Sequence, residues 1–393
     1  YLDEIFNCDI VFRTPGMYYN NEVLTKARKQ GVVITSEMEV FFDLCPCKIY
    51  GVTGSDGKTT STTLISEFLK AEGKRVHLGG NIGKALLPLV ETMAETDVAV
   101  VELSSFQLIS MRKSPDVAVI TNISPNHLDV HGTMDEYIDA KCNLIRHQNA
   151  FSRTVLNFDN EETMKLSDLV RGKLVNFSLS HKIETGSYLR EDGMLCYSEK
   201  GVTTEIIHKD EIKIPGIHNV DNYLTAIAAV WGNVSVESIV KVAKNFGGVE
   251  HRIEFVREVD GVRWYNDSIA TSPTRVIAGL NSFNQKIIII AGGYDKKIPF
   301  EPLAKPINER VKILILMGAT ADKIEKAVTE CPYYPESGLK IVHVKSMEEA
   351  VLTANKISDD GDIVSLSPAC ASFDMYPMFE ARGNHFKKLV NEL

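Results

Sequence analysis

Runs of almost uninterrupted apolar residues, each followed by a helical stretch, constrain the fold of this chain more than any other feature. Strands that are apolar on both faces are typical of parallel sheets that helices cover on both sides. The sequence therefore predicts an α/β protein with two parallel sheets. The runs in the middle of the chain are 48–52, 97–102, 116–123, 153–158 and 173–178, and those in the last third are 286–293, 311–318, 339–344 and 362–369.

The order of the patterns predicts three domains within the 393 residues. The chain begins at Tyr1 without a methionine, and two short strand patterns flank a helical stretch, which indicates the remnant of a small N-terminal α/β domain in residues 1–43. A glycine-containing hinge at 246–248 is expected to separate a central domain, residues 44–248, from a C-terminal domain, residues 249–393.

One stretch of the central domain departs from the parallel pattern. Residues 186–214 alternate in polarity and contain turn signals at 192–193 and 200–201, which favours a small antiparallel addition. A helix is predicted to follow at 218–231.

Composition excludes several classes of protein. Hydrophobic residues make up 44% of the chain and charged residues 24%, which is ordinary for a globular protein and excludes disorder or coiled coil as the dominant character. No apolar run approaches the roughly 18 residues of a membrane helix. A net charge of −9 argues against a nucleic-acid-binding surface but leaves room for a local phosphate pocket.

The seven cysteines are scattered, odd in number and without a CxxC pair. A disulfide framework is therefore not expected, and a reducing cytosol fits better. Cys45-Pro46-Cys47 has neither the spacing nor the partners of a zinc knuckle, so we interpret these two residues as structural thiols.

A glycine-rich loop, TGSDGKTT at 53–60, lies between a predicted strand and a predicted helix. Glycines let the backbone wrap a phosphate, and the helix N-terminus offers free N–H groups. Lys58 would reach the β- and γ-phosphates of a nucleotide, and the Thr59 hydroxyl would hold Mg²⁺. Because Val52 stands where the strict pattern requires glycine, the loop is a variant, and a glycine turn with a chance Lys-Thr pair is the alternative.

Two further strands end in residues that could bind metal at the same edge of the sheet. Glu102 ends one strand and could hold a nucleotide's Mg²⁺, the alternative being a helix cap. His127 and Asp129 follow the next strand, so Glu102 and His127 together could build a second metal position. The alternative for His127 is a packed or surface histidine, and His131 is expected to be a bystander.

Several further motifs occur in an order that resembles the Mur ligases, the ATP-dependent amide-forming enzymes of bacterial peptidoglycan precursor synthesis. The resemblance covers nearly the whole chain and implies three domains: a partial Rossmann-like N-terminal domain, a central P-loop ATPase domain with a parallel sheet and a Rossmann-like C-terminal domain. The motifs are TGSDGKTT at 53–60, GNIG at 80–83, ELSSFQL at 102–108, TNISPNHLDVHG at 121–132, DAK at 139–141, GIHNVDN at 216–222, HRIE at 251–254, NDS at 266–268 and the segment 366–386.

The resemblance implies two Mg²⁺ ions beside ATP. Thr59 and Glu102 would bind the first ion and His127 the second. The resemblance also implies a catalytic role for His127. Lys141 would be carbamylated, which turns a cation into an anion that approaches the second ion; without the resemblance it reads as a solvated helix lysine. The residues implied in the ATP phosphate loop are Gly54, Ser55, Asp56, Gly57, Lys58, Thr59 and Thr60.

The resemblance also implies the other binding residues. Asn219 and Asn222 would contact the adenine and phosphate side of ATP, and Arg252 and Asp267 would approach the nucleotide from the third domain. The muramoyl substrate would be contacted by Gly16, Asn81 and Ser104, with Gly16 facing the uridine diphosphate. The amino-acid site would consist of Thr271, Lys296, Ser372 and Phe379, with a helix N-cap as the alternative for Ser372.

The chain departs from the family pattern at the motif NDSKAT. Residues 266–271 read NDSIAT, so the usual lysine is Ile269, and Arg275 is a candidate for the missing charge. The phosphate loop carries Ser55 and Asp56 where the family usually has Thr and Asn, which is a milder change.

The segment 366–386, LSPACASFDMYPMFEARGNHF, is most similar to that of family members that add D-glutamate. The implied reaction joins D-glutamate to UDP-N-acetylmuramoyl-L-alanine through an acyl phosphate, carried out by a cytoplasmic monomer that binds neither nucleic acid nor membrane. A sibling ligase, a folylpolyglutamate synthase and a P-loop switch protein with slow ATP hydrolysis are the alternatives.

Overall fold

The computed structural model describes residues 2–125 and 128–393, and the chain forms two compact units. The first unit contains the residues up to 213 together with 217–245, and the second contains 214–216 with 246–393. One boundary between them falls just before the hinge expected at 246–248. The limits of three separate domains at residues 43 and 248 remain predictions.

The N-terminal segment of the first unit has its own two-stranded parallel sheet. The strands and the intervening helix occur where the sequence predicts them. The side chains of Asn21 and Ser36 cap the two helices by accepting hydrogen bonds from backbone N–H groups in the first turn. The elements are a 3₁₀ helix Leu2–Asn7, β1 Ile10–Phe12, α1 Glu22–Lys29, β2 Val33–Thr35 and α2 Glu37–Leu44.

The main sheet of the first unit has nine strands in the order β11-β10-β9-β8-β7-β6-β3-β5-β4. Neighbours from β4 to β9 are parallel, and β9, β10 and β11 form the predicted antiparallel addition. The strands are β3 Lys48–Thr53, β4 Val76–Gly80, β5 Val98–Glu102, β6 Val117–Ile120, β7 Arg153–Asn157, β8 Lys173–Ser178, β9 Gly186–Leu189, β10 Met194–Glu199 and β11 Val202–His208.

Strand β3 lies between β5 and β6, which places the loop that follows it at the centre of the carboxyl edge. The sequence pattern does not indicate strand β4, because its residues, VHLGG, contain no apolar run. The helices that accompany this sheet are α3 Lys58–Ala71, α4 Ser105–Leu108, α5 Leu128–His131, α6 Met134–Arg146, α7 Glu161–Met164, α8 Ile217–Val230 and α9 Val236–Asn245, with 3₁₀ turns at Leu87–Thr92, Lys165–Leu169 and Lys209–Glu211.

The second unit is built on a six-stranded sheet in the order β12-β13-β17-β14-β15-β16. The four predicted strands are present and parallel, and an antiparallel pair, β12 and β13, was missed because charged residues interrupt it. The strands are β12 Glu254–Val259, β13 Val262–Asn266, β14 Ile287–Ala291, β15 Val311–Leu316, β16 Lys340–His343 and β17 Ile363–Leu366; the helices are α10 Pro273–Leu280, α11 Glu301–Arg310, α12 Ala321–Thr329, α13 Tyr334–Ser337, α14 Met347–Ile357 and α15 Phe379–Asn391.

The helices and strands bear out the predicted α/β class with parallel sheets in both units. Apolar side chains from one face of the first main sheet and from both faces of the second form buried clusters with the covering helices. In the part of the chain that the structure describes, no helix has the length and apolar character needed to cross a membrane.

Candidate active site

The glycine-rich loop joins β3 to α3, and its two glycines adopt conformations that other residues avoid. Gly54 has a φ of 152° and Gly57, the N-cap of α3, a φ of 75°. A Cβ atom at position 54 would lie 1.8 Å from the Thr121 hydroxyl, and one at position 57 would lie 2.5 Å from the Asn222 side-chain oxygen. The loop therefore requires glycine at both positions for conformation and for space.

The segment after β6 fixes the loop from one side. The Ser55 and Asp56 backbone N–H groups donate to the Asn122 carbonyl and side-chain oxygens, each at 2.9 Å. The Thr121 hydroxyl donates to the Asp56 carbonyl at 2.6 Å. The Ser55 hydroxyl donates to the Ser124 carbonyl at 2.9 Å. These bonds hold the loop in one shape.

Lys58 opens helix α3, and its ammonium group returns to the loop. Its Nζ donates to the Gly54 carbonyl at 3.0 Å and to the Ser55 carbonyl at 2.8 Å. Thr59 and Thr60 follow it, buried in the first turn of the helix. A cation beside the N-terminus of a 14-residue helix is an arrangement that binds phosphate oxygens.

Asn219 and Asn222 both lie in the first turns of α8, against the start of α3. The Asn222 side-chain oxygen accepts from the Ser61 hydroxyl at 3.2 Å, and its amide donates to the Asn219 side-chain oxygen at 3.3 Å. Asn222 is buried, and its side-chain oxygen is the atom that a Cβ at Gly57 would approach most closely. The structure thus brings this predicted nucleotide-binding pair against the phosphate loop.

Glu102 ends β5, in register with Val52 of β3, and its side chain is buried. One carboxylate oxygen, Oε1, accepts from the Asn81 amide at 2.9 Å. The other, Oε2, is buried and has no hydrogen-bond partner among the described residues. Because buried carboxylate oxygens are rarely left unpaired, this atom fits a cation ligand, and oxygen is the ligand that Mg²⁺ prefers.

The alternative for Glu102, a helix cap, is wrong. Ser104 caps α4 and forms a capping box with Gln107: its hydroxyl accepts from the Gln107 N–H at 3.3 Å. Thr53 connects this segment to β3, because its hydroxyl donates to the Leu103 carbonyl at 2.7 Å. Ser104 therefore lies two residues after Glu102 at the carboxyl edge, where the resemblance implies a substrate contact.

Lys141 projects from α6 beneath the phosphate loop and is only 1% exposed. Its Nζ donates to the Gly54 carbonyl at 2.8 Å and the Thr53 hydroxyl at 3.2 Å, and lies 4.6 Å from the centre of the Tyr137 ring. It forms no ion pair with any residue that the structure describes. The alternative of a solvated helix lysine is wrong.

Burial lowers the pKa of Lys141 well below that of an ordinary lysine, and the nearby charge of Lys58 lowers it further. The shift is toward the neutral amine. A neutral primary amine is a nucleophile, which an ammonium group is not.

His127 lies outside the described residues, as does Asn126, and the structure says nothing of its position. His131 is described: it is buried, its Nε2 lies 2.9 Å from the Ser105 hydroxyl, and its ring stacks on Phe106 at 5.1 Å. This packing agrees with the expectation that His131 is a bystander.

Gly16 belongs to a turn that Arg13 ties to the α4 region. The Arg13 guanidinium donates to the Met17 carbonyl and to the Phe106 carbonyl, both at 2.8 Å. A Cβ atom at Gly16 would meet nothing within 4 Å, so the turn has open space on that side. Within the first unit, the predicted uridine diphosphate contact thus lies near the segment that follows Glu102.

In the second unit, Asp267 follows β13 and is buried. Its Oδ1 accepts from the Ile253 N–H at 3.3 Å. Burial raises the pKa of Asp267 to about 7, opposed by that hydrogen bond and by the charges of Arg252 and Arg275. The structure therefore brings Arg252 and Asp267, both expected to approach the nucleotide, close enough to influence each other's charge.

Lys296 and Thr271 meet at the carboxyl edge of the second sheet. The lysine Nζ donates to the Thr271 carbonyl and hydroxyl oxygens, both at 3.1 Å. The Arg275 guanidinium donates to the carbonyl of Ile269 at 3.0 Å. Burial lowers the pKa of Lys296, and the charge of Arg275 lowers it further, so the two cations share one region.

Arg382 is a residue of this region to which the sequence analysis gave no role. It is fully buried and donates to carbonyls on two loops: those of Ser268 at 2.9 Å, Cys370 at 3.1 Å and Ala371 at 3.2 Å. Its Nε also donates to the Ser268 hydroxyl. The only sequence signal was the Arg-Gly pair in segment 366–386.

Ser372 follows the two carbonyls, of Cys370 and Ala371, that Arg382 binds, and Phe379 is the first residue of α15. The Phe379 carbonyl accepts from the Ser268 hydroxyl at 2.7 Å, which ties the start of α15 to the 266–271 loop. The N-cap alternative for Ser372 is wrong, because α15 begins only at Phe379 and Met378 is its N-cap. Ser372 is buried in a turn in which its carbonyl accepts from the N–H groups of residues 375 and 376.

Comparisons with known proteins identify two domains of one family in this chain. The model of the Mur ligase middle domain matches residues 52–230, and that of the Mur ligase, glutamate ligase domain matches residues 251–370. A protein of Acetivibrio thermocellus named UDP-N-acetylmuramoylalanine–D-glutamate ligase is 53% identical over 395 residues, covering 100% of this chain and 84% of the relative. A protein of the same name from Clostridium acetobutylicum is 51% identical over 394 residues, with the same coverage.

Solved structures are similar at the level of the fold. A UDP-N-acetylmuramate-alanine ligase from Thermotoga maritima has a TM-score of 0.62 at 19% identity, covering 98% of this chain and 85% of that one. A UDP-N-acetylmuramoylalanyl-D-glutamyl-2,6-diaminopimelate–D-alanyl-D-alanyl ligase from Acinetobacter baumannii has a TM-score of 0.60 at 16% identity, covering 98% and 89%.

Proposed function

The chain belongs to the Mur ligase family, and from that premise we propose that it joins D-glutamate to UDP-N-acetylmuramoyl-L-alanine with ATP as the phosphoryl donor. The observation that carries the proposal is the phosphate loop, beneath which lies a buried lysine without an ion-pair partner among the described residues. A protein that only binds a nucleotide has no need of such a lysine.

The chemistry explains why the site combines these groups. A carboxylate is a poor acyl donor, so the L-alanyl carboxylate is first phosphorylated by ATP. The amino group of D-glutamate then attacks the acyl phosphate, an amide bond forms and inorganic phosphate leaves. Two anions must approach each other in the first step, and Lys58 at the start of α3 is placed to screen the phosphates.

The family uses ATP and Mg²⁺, and the residues present fit the metal. When bound, Mg²⁺ supplies positive charge that neutralises the phosphate oxygens. We assign the first ion to Thr59 and to Oε2 of Glu102, which has no hydrogen-bond partner in the described part of the chain. We assign the second ion to His127 and the modified Lys141. Asn81 holds the other oxygen of Glu102 and so fixes the orientation of the carboxylate.

Lys141 is assigned as a carbamate in the active enzyme. Its neutral amine attacks CO₂, a C–N bond forms and one proton is released, which leaves a carboxylate on the end of the side chain. The buried position supports this assignment: the charge of Lys58 disfavours an ammonium group there and that of Asp56 opposes Lys58 with a smaller effect, whereas a carbamate would be attracted by Lys58 and by a metal ion.

The amino-acid site is assigned to Thr271, Lys296, Ser372 and Phe379. D-glutamate carries two carboxylates, and each needs a charged or hydrogen-bonding partner when water is excluded. Lys296 provides one charge. We assign the second to Arg275, whose guanidinium reaches the backbone of Ile269, the position where the family pattern has lysine.

The remaining contacts are assigned by unit. In the first unit, Asn219 and Asn222 serve the adenine and phosphate side of ATP beside the loop residues 54–60, and Gly16, Asn81 and Ser104 serve the UDP-muramoyl substrate. In the second unit, Arg252 and Asp267 serve the nucleotide, with Asp267 near the ribose. We place the reaction in the cytoplasm, where a nucleotide-linked precursor and ATP are available, and expect a monomer.

The function is tested by measuring phosphate release with purified protein, ATP and Mg²⁺. Release should require both UDP-N-acetylmuramoyl-L-alanine and D-glutamate. L-glutamate should fail because inversion moves its amine or a carboxylate away from the partner groups, and meso-diaminopimelate and L-lysine should fail as well. Efficient use of any of these three would overturn the D-glutamate assignment in favour of a sibling ligase. Release without either substrate would favour a P-loop switch protein.

A further inference from the structure

Cys45 and Cys47 lie on either side of Pro46 in the connection between α2 and β3. Their sulfur atoms are 3.6 Å apart. Cys45 is partly exposed, whereas Cys47 is 6% exposed and belongs to the core of the first unit. The sequence alone indicates structural thiols, and the structure adds that the two sulfur atoms are in direct contact.

The pair opens into a cleft of about 490 Å³. The cleft is lined by residues 45–49 together with Phe42, Ser114 and Asp116. It lies at the amino ends of β3 and β6, whereas the phosphate loop follows the carboxyl end of β3. Because β3 has six residues, the two edges are separated by roughly 20 Å. The dithiol is therefore accessible and remote from the residues assigned to catalysis.

The contact makes the two thiols chemically unequal. The sulfur–sulfur contact with Cys47 lowers the pKa of Cys45 to about 7, with burial and the charge of Asp116 opposing. The same contact, together with burial and the charge of Asp97, raises the pKa of Cys47. Lys48 also lines the cleft and contributes a positively charged side chain to it. The exposed sulfur is thus the nucleophile near neutral pH, and the buried one stays protonated.

We propose that Cys45 and Cys47 form a thiol–disulfide exchange site that takes low-molecular-weight disulfides. The Cys45 thiolate attacks one sulfur of the disulfide, a mixed disulfide forms on Cys45 and one thiolate leaves. The sulfur of Cys47 then attacks the Cys45 sulfur of the mixed disulfide, its proton passes to the solvent and the second thiolate leaves. The two cysteines lose two electrons in total, and the small disulfide gains them.

The geometry allows the second step with a small movement. The sulfur–sulfur distance must fall from 3.6 Å to about 2.05 Å. Cys47 is held by the core and by the start of β3, where the Ile49 N–H donates to Asp116 at 2.8 Å. Cys45 follows the last turn of α2 with an extended backbone, so the movement falls on Cys45.

The test exposes the folded protein to 2-hydroxyethyl disulfide at pH 7.5, blocks the remaining thiols under denaturing conditions and identifies each cysteine by mass spectrometry. We expect the peptide that contains residues 45–47 to lose two hydrogen atoms. Cys331, which is partly exposed, is the internal control and should gain at most a mixed disulfide. In Cys47→Ser the mixed disulfide should accumulate on Cys45, and in Cys45→Ser the thiol of Cys47 should remain unmodified.

The proposal is overturned if the unsubstituted protein stops at a mixed disulfide on Cys45, or if both cysteines remain thiols while Cys331 reacts. It is also overturned if Cys47 in Cys45→Ser forms the mixed disulfide as fast as Cys45 does in Cys47→Ser. The measurement on the unsubstituted protein decides the outcome even if a variant fails to fold.

Discussion

Lys141 of the first unit and Lys296 of the second have nearly the same immediate partners but different surroundings. Each side-chain nitrogen, Nζ, donates to one threonine hydroxyl and one backbone carbonyl, at 2.8–3.2 Å. Lys141 is 1% exposed, whereas Lys296 lies at the surface. Burial lowers the pKa of both, and far more for Lys141. Burial thus favours a reactive amine in one unit, and exposure keeps a charged group for binding in the other.

The largest effect is expected for Lys141→Ala, which removes the group assigned as the carbamate. We expect turnover to fall roughly 1,000-fold, because a charge organised around the phosphoryl group is lost. Small carboxylates such as acetate should restore part of the activity by occupying the same space. The measurement is kcat with and without acetate.

Lys141→Met is the control for folding. Replacing a buried ionisable group by an apolar side chain of similar length should leave the free energy of unfolding unchanged or raise it. Two results together would refute the assignment of Lys141 as a carbamate. One is an active Lys141→Ala variant, and the other is a bare amine at Lys141 in mass spectrometry of the native protein.

The second effect concerns Lys58→Ala. We expect kcat to fall about 100-fold in a folded protein, because one positive charge on the transferring phosphoryl group is lost. Lys70→Ala is the matched control: Lys70 lies on the same helix, exposed, and forms a surface ion pair with Glu67. Equal activities of the two variants would contradict the assignment of the loop.

Lys296→Ala tests the binding half of the comparison. Leaving a carboxylate of D-glutamate without its partner should raise KM for D-glutamate roughly tenfold, because the loss of a charged hydrogen bond from an exposed lysine costs about 1.5 kcal/mol. KM for ATP should change by no more than about twofold, since the phosphates are assigned to the first unit. Lys326→Ala, an exposed lysine of the same unit, is the control. A defect confined to ATP would refute the assignment.

Arg275→Ala should have a smaller effect than Lys296→Ala. An exposed cation contributes up to about 1 kcal/mol, so KM for D-glutamate should rise a few-fold, and the rise should shrink at high salt. Arg275→Lys should recover part of the loss. An unchanged KM for D-glutamate in Arg275→Ala would show that another group compensates for Ile269.

The smallest expected effect is on the pH dependence of stability, to which each unit contributes one buried aspartic acid. Burial raises the pKa of Asp221 in the first unit and of Asp267 in the second to about 7. Their folded forms hold a proton that the unfolded chain releases near pH 4, so stability should fall as the pH rises from about 4 to 7. Each Asp→Asn variant should flatten part of this fall in thermal melting. A slope that neither substitution changes would contradict the raised pKa values.

Features formed by residues adjacent in sequence could be predicted for this molecule, and contacts between residues distant in sequence could not. The phosphate loop was predictable because a strand, a glycine loop and a helix are adjacent in the chain. The burial of Lys141 was not, because it depends on how α6 packs beneath β3, 88 residues away from Thr53 in sequence. Arg382 was missed for the same reason: its partners lie on two loops that meet only in the fold.

The missed strands have a related explanation. β4 is rich in glycine, and charged residues interrupt β12 and β13, so neither resembles the continuous apolar runs of the strands around them. The N-cap alternative for Ser372 failed because α15 starts seven residues later, at Phe379, which the local pattern did not indicate.

The hydrogen bonds that hold the phosphate loop have a consequence for its amide protons. The N–H groups of Ser55 and Asp56 are engaged by Asn122, although Asp56 lies at the surface. Their exchange with deuterium should therefore be slow in the nucleotide-free protein, and a bound nucleotide should slow it little further. A loop ordered in advance loses little conformational entropy when it binds, so its affinity should depend mainly on the charge of the ligand.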